Sequence, residues 1–292
     1  MPLYSRRPMT NVDQFESAFR AAAKEVYRPH EVDLGSVAVV TDLARDAAAA
    51  YAADAKRFLG PVVGDEVVWT VVDGESFSGV TGLLALVDEL APSLIVSYRN
   101  LHSTGWDKPY SLGEELDVLT QVASSPVLVS PHPKASSDAW ADRGTRRVMA
   151  VTDHLRGEHR LVDWATQLTA KGGTLLLSHV EDEAVFDRYM DIISKIPAID
   201  TDVARVTIAE RLLKEAHDFI GSVRDVLGRR GHAITVEEIV RMGHHLSEHK
   251  QLVTDHDVSL LVLSTRDDDQ LAMHGLAYPL AVELRQTPML ML

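Results

Sequence analysis

The sequence repeats itself, and a repeat of domain length constrains the fold more than composition does, because each copy must be a packed unit of the same kind. VAVVTDLARD at 37–46 reads against VMAVTDHLRG at 148–157, each an apolar run that stops at Val-Thr-Asp and leads into a helical pattern. SLIVSYR (93–99) reads against SLLVLSTR (259–266), and each is followed by a polar loop, a glycine, an amphipathic stretch and a Pro-led apolar run. The register agrees as well: Gly113 precedes Pro126 by 13 residues (126 − 113), and Gly275 precedes Pro288 by 13 (288 − 275).

Within each copy, short apolar runs alternate with helix-period segments, which predicts β-α-β units and a parallel sheet covered on both faces. The fold class is therefore α/β, with two tandem doubly wound domains. The second copy supplies five strands: RVMAVTD, TLLLSHV, AITVEEIV, SLLVLS and PMLML. Its first helix, near 158–170, carries Leu161, Ala165 and Leu168 on one face. A long helix over 205–230 keeps Ile208, Leu212, Ala216, Phe219, Val223 and Val226 in one stripe, and Gly231 marks its stop. The first copy is shorter by one strand and one helix, a loss tolerable only at a sheet edge. The expected organisation is an N-terminal helical extension over 1–30, a truncated domain over 31–133, a linker over 134–145 and a complete domain over 146–292. In the extension, Val12, Phe15, Phe19, Ala22 and Val26 form a stripe with Thr10 as N-cap and Pro29 as stop, suited to cover surface that the shortened domain leaves bare.

Composition narrows the partners. A net charge of −14 argues against nucleic acid and against anionic membrane surfaces, both of which need Lys and Arg to neutralise phosphate. With no cysteine there is no disulfide and no thiolate ligand or nucleophile. The start MPLYSRRPMTN lacks an apolar leader and no stretch approaches the ~18 apolar residues of a membrane span, so a soluble cytoplasmic protein is expected.

Two units with a first strand ending in Asp, a second reading SHVED, a fourth reading LLVLSTR, and a Gly 13 residues before a Pro-led strand resemble the universal stress protein family over 31–133 and 146–292. The resemblance implies strand order 3-2-1-4-5, which puts the missing third strand at an edge. It also implies a non-enzymatic stress-response or regulatory role and pairing through the fifth strand. Family members that bind ATP carry G-x2-G-x9-G-(S/T) after the fourth strand, where glycines let backbone N–H groups and a helix N-terminus approach phosphate. Here the pattern is broken twice. In the second copy Ser264 and Asp267 replace the first two glycines, Gly275 alone matches, Leu276 follows it, and the loop is two residues short (275 − 264 = 11, against 13). In the first, Tyr98 and Leu101 replace the glycines, Glu114 follows Gly113, and the loop is two residues long (113 − 98 = 15). Asp267, Asp268 and Asp269 add negative charge where a triphosphate would lie. The loop reads as a solvated, helix-capping acidic segment; the functional alternative is that these acids and Asp153 ligate a divalent cation.

No cofactor is expected, and no ATP binding. The alternative is an adenine-nucleotide sensor binding AMP or ATP at Asp153, Val180 and Gly275, with Asp42 and Gly113 as first-copy counterparts. In binders the resemblance puts the aspartate near the sugar and the valine's backbone near the base. A plainer reading has Asp42 and Asp153 capping the helices that follow them and Val180 simply ending a strand. A further alternative is a zinc-dependent hydrolase: His245-x-x-Glu248-His249 has two histidines one helical turn apart with a glutamate as base. That pattern is short, and the repeat places it on a surface helix, so no metal and no catalytic residue are expected. His179 reads as a hydrogen-bonded structural residue. The fifth strands, 126–130 and 288–292, are apolar on both faces and each needs a partner, so they are expected to face one another within the chain. The same pairing between chains would give a homodimer, and any further self-association or protein partner would use the extension and the bare edge of the first domain.

Overall fold

The computed structural model describes residues 25–105, 111–134, 140–152, 155, 157–265 and 276–292. In chain order the first half runs β1 (Ser36–Val40), α1 (Arg45–Leu59), β2 (Val68–Val72), α2 (Gly79–Leu90), β3 (Leu94–Tyr98), α3 (Glu114–Val122) and β4 (Val127–Ser130). After a short α4 (Trp140–Arg143), the second half runs β5 (Arg147–Val151), α5 (His159–Gln167), β6 (Thr174–Asp182), α6 (Glu183–Ile193), α7 (Thr201–Arg229), β7 (Thr235–Gly243), α8 (His245–Asp255), β8 (Leu260–Leu263), α9 (Ala277–Glu283) and β9 (Met289–Met291).

Among the described residues nine strands form one sheet, ordered β2-β1-β3-β4-β9-β8-β5-β6-β7. Every neighbouring pair is parallel except β4 and β9, which meet antiparallel with Val127 opposite Met291, Leu128 opposite Leu290 and Val129 opposite Met289. The two halves thus run in opposite directions about a pseudo-two-fold at that join. Counted alone, the second half reads third, second, first, fourth, fifth strand from the outer edge inward. The first half lacks the outermost strand, and among the described residues nothing pairs with the outer side of β2.

Helices on both faces explain why the central strands are continuous apolar runs rather than alternating ones. Residues 94–96, 148–150 and 260–262 are at most 0% exposed to the nearest per cent. In α5, Leu161, Ala165 and Leu168 (the last just past its end) are all fully buried, as their spacing predicts. α6 is not foreseen by periodicity; Asp182 caps it by accepting from the N–H groups of Ala184 and Val185 at 2.9 and 3.0 Å. α7 starts earlier than predicted, because Asp200 caps it in the same way. Its buried stripe is also shorter than predicted: Ala216, Phe219, Ile220, Val223 and Leu227 are buried, whereas Leu212 is 37% exposed and Ile208 and Val226 are half-buried. A helix of 29 residues is ~43 Å long and a nine-residue strand spans only ~30 Å, so α7 outruns the sheet it covers. Gly231, at φ +73°, ends it as expected.

The segment expected to be a linker is packed at its end. Trp140 of α4 is buried with its ring centroid 5.0 Å from Phe58 and 6.3 Å from Tyr51, both on α1. Arg143 then reaches the carboxylate of Asp257, beyond α8, at 2.5 Å, so α4 ties the two halves together. The stripe from Val12 to Ala22 lies outside the described residues. Where the chain becomes described it is held on the second half: the Tyr27 N–H donates to Ser222 Oγ at 2.9 Å and its hydroxyl to Asp163 at 2.5 Å.

Candidate functional site

In a doubly wound sheet the natural ligand crevice lies at the C-terminal ends of the strands where the order reverses. In the first half that point falls between β1 and β3. Asp42 follows β1, and its carboxylate is fully engaged: one oxygen accepts the Tyr98 hydroxyl and the other accepts the His102 N–H at 2.9 Å. Gly74 crowds the Asp42 peptide so closely that an added Cβ would stand 2.5 Å from its carbonyl oxygen. The expectation that Asp42 caps the next helix is corrected. The N-cap of α1 is Ala44, without a side-chain cap, because the Asp42 side chain turns instead toward the loop after β3.

The described residues of that loop turn sharply. Asn100 and His102 both adopt left-handed backbone, at φ +61° and +53°, and the Asn100 N–H donates to Leu112 O at 2.6 Å. The result is direct contact with the start of α3. Gly113, its N-cap at φ +94°, lies so near Asn100 that a Cβ would sit 2.7 Å from Asn100 Cα. The helix N-terminus at which the resemblance implies phosphate is therefore overlaid by the chain's own backbone. Its first turn bears Glu114, Glu115 and Asp117, whose charges favour the helix dipole and disfavour an anion. Between loop and helix remains a cleft of about 400 Å³, rimmed by His102, Ser103, Ser111, Glu114 and Glu115. His102 stands 3.6 Å from the Glu115 carboxylate and edge-on to Phe77.

Beneath this rim lies an aromatic layer that the sequence reading did not pick out. The available signal was Tyr98 itself, an aromatic residue at the end of a strand that holds no other. Its ring meets Tyr51 edge-on at 5.1 Å and His132 at 5.0 Å, and Tyr51 shares a hydrogen bond with Ser130 at 2.8 Å. Burial, followed by the bond to and charge of Asp42, pushes the Tyr98 phenol well above its ordinary range. Burial lowers His132 to about 4, and its Nδ1 accepts the Lys134 N–H at 3.0 Å, which fixes it as a neutral acceptor. Arg99 is also buried and donates to Val282 O on α9 at 3.3 Å; burial lowers its pKa to about 10.

In the second half, Asp153, Gly275 and Asp267 to Asp269 lie outside the described residues. Val180 does not end its strand: β6 continues to Asp182, and Val180 is opposite Arg241 of β7 and 1% exposed. His179, just before it, is buried with Nε2 3.3 Å from Glu181.

The histidine pair lies on α8, and its two members have different surroundings. His249 is 1% exposed, with Nδ1 donating to His245 O at 2.8 Å and Nε2 accepting from Ser178 Oγ at 3.2 Å, so both ring nitrogens are committed. Glu248 is ion-paired with Arg241. The His245 and His249 ring centroids are 6.5 Å apart, and among the described residues no three His, Asp or Glu side chains are grouped to hold a metal ion.

A second cavity of about 570 Å³ opens on the other rim of the first half, between residues 30–33, the starts of β3 and β4, and α5. Its buried carboxylate, Asp163, is already the acceptor for Tyr27 and for the His30 N–H at 3.2 Å. No helix among the described residues is long and apolar enough to cross a membrane.

No protein-family model matches the chain, and no curated protein matches it in sequence. Among solved structures it is similar to a functionally unknown protein from Pseudomonas aeruginosa, with 14% identity and a TM-score of 0.46 over 99% of this chain and 89% of that one. It is also similar to a universal stress protein from Archaeoglobus fulgidus, with 12% identity and a TM-score of 0.44 over 88% of this chain and 85% of that one.

Proposed function

We propose that the protein is a tandem universal-stress-protein-type regulator that acts through protein contacts and binds no ATP, its two units being 31–133 and 146–292. The observation that carries this reading is the closure of the first switch point by the chain itself. Asp42 is satisfied by Tyr98 and His102, and Asn100 lies on Gly113, so both groups that would receive sugar and phosphate are engaged. An incoming nucleotide would have to break two hydrogen bonds to a carboxylate and lift a backbone loop from a helix N-terminus. It would also have to seat its phosphates against Glu114 and Glu115, at several kcal/mol of repulsion for each close pair near a protein surface.

The test is native mass spectrometry of the purified protein followed by titration calorimetry with ATP and with AMP. The expected result is a mass that is a whole multiple of the bare chain, with no added ligand, and no heat of binding. Micromolar affinity for either nucleotide, lost on Asp153→Ala, would replace this reading with that of a nucleotide sensor working through the second half.

A further inference from the structure

The first half ends at β2, and the ladder on its inner side determines what its outer side offers. The Val68 N–H donates to Gly35 O at 3.1 Å and the Thr41 N–H to Val72 O at 3.0 Å. Val68, Thr70 and Val72 therefore turn their backbone groups toward β1. By the alternation of a strand, Trp69 and Val71 turn theirs outward, two N–H donors and two C=O acceptors with no ladder partner among the described residues.

Edge strands are normally guarded by charge, proline or a bulge. VWTVV has none of these, and Val68 and Val71 are 62% and 42% exposed. The opposite edge of the sheet, β7, carries Glu237, Glu238 and Arg241. The chain also contains an example of such an edge filled. β6, which holds in its half the place of β2, is covered by β7 over nine register positions from Thr174–Thr235 to Asp182–Gly243.

We propose that β2 pairs antiparallel with β2 of a second copy about a two-fold axis at Thr70, continuing the sheet across a homodimer. In that register Trp69 lies opposite the partner's Val71 and Val71 opposite the partner's Trp69. These are the residues whose backbone groups face out, so four N–H···O=C bonds form, with the two Thr70 residues as the non-hydrogen-bonded pair between them. Each Trp–Val pair joins an aromatic to a β-branched side chain, and no charge lies within the five paired residues. The join repeats what the chain does internally, where β4 and β9 already unite two parallel sheets antiparallel.

At Tyr27 the N-terminal segment lies away from this edge. Tyr27 is anchored to Asp163 on α5 and to Ser222 on α7. α5 follows β5, which is six strand positions from β2, ~29 Å at the usual strand spacing. This proposal is independent of the nucleotide reading, since it uses the outer edge of β2 and no residue of the switch point.

Sedimentation of the full chain tests it, at ~0.1 mM because an interface built around one strand is small. The wild type is expected at twice 32.1 kDa, and Val71→Lys and Val71→Pro at 32.1 kDa, a two-fold loss of mass. Proline is suitable because the Val71 N–H faces outward, so the bond network to β1 is kept. Residue-resolved hydrogen exchange gives a readout that does not depend on the proline variant folding: the Trp69 and Val71 amides should exchange slowly in the wild type and fast in Val71→Lys. A monomeric wild type overturns the proposal. So does a dimer that survives Val71→Lys, or one that dissociates on Val206→Asp at the exposed end of α7 while the Trp69 and Val71 amides exchange fast.

Discussion

Truncating Leu290 to alanine is the most informative perturbation of the fold, because this one side chain sits where the two halves are joined. Leu290 is fully buried, opposite Leu128 of β4 on one side and Val262 of β8 on the other. Deleting three buried carbon atoms and leaving a cavity on the face of the sheet costs about 2–5 kcal/mol. At ~2–4 °C per kcal/mol for a chain of this size, that lowers the melting temperature by about 4–20 °C. Because β9 belongs in sequence to the second copy but is laddered to the first, the loss should fall on both halves together. Differential scanning calorimetry should show one transition that moves as a whole, and hydrogen exchange at Val39 in β1 and Leu177 in β6 should accelerate by comparable factors. Val122→Ala, at a site 59% exposed, is the control and should change stability by less than about 0.5 kcal/mol. A loss below about 1 kcal/mol, or faster exchange confined to one half, would refute the view that β4 and β9 make the sheet a single cooperative unit.

Three further outcomes follow from the site. His132 is held near 4, whereas the unfolded chain titrates near 6.5, so between these values only the unfolded state takes up the proton; stability should be full above 6.5 and fall by up to about 3 kcal/mol toward pH 4, as read by denaturant titrations of wild type and of His132→Phe, which should lack that component. Asp42→Ala leaves the buried Tyr98 hydroxyl without its acceptor and should cost about 1–3 kcal/mol in thermal unfolding, with Asp42→Asn milder because an amide oxygen still accepts; unchanged melting would show that the carboxylate is not a structural anchor. Glu248→Gln disturbs only a half-exposed ion pair with Arg241 and should cost under about 1 kcal/mol, with no zinc found in wild type or variant by plasma spectrometry, while stoichiometric zinc in the wild type together with a hydrolase activity lost in this variant would restore the hydrolase reading.

The sequence alone determined most of the strand and helix pattern, since Leu161, Ala165 and Leu168 share a face only in a helix and a run as short as SLLVLS, bounded by polar loops, suits a buried strand; α6, which periodicity did not show, is the exception. It also determined the pairing need of two apolar terminal strands and the absence of a glycine-rich loop after SLIVSYR and SLLVLSTR, which are local and countable. What it could not determine were distances between residues far apart in the chain. Asp42 reads equally well as a helix cap and as a ligand, and only the fold, by bringing Tyr98 and His102 to it across 56 and 60 positions, decides that it closes the crevice. His249 matches a metal pattern until Ser178, 71 residues away, is seen on its Nε2. The stripe of α7 was visible for its full length, but how much of it is buried depends on where the β6–β7 ladder stops, a tertiary limit that periodicity does not encode. Likewise, the missing strand of the first copy could be counted in the sequence, whereas which backbone groups it leaves facing outward follows only from the ladder between β1 and β2.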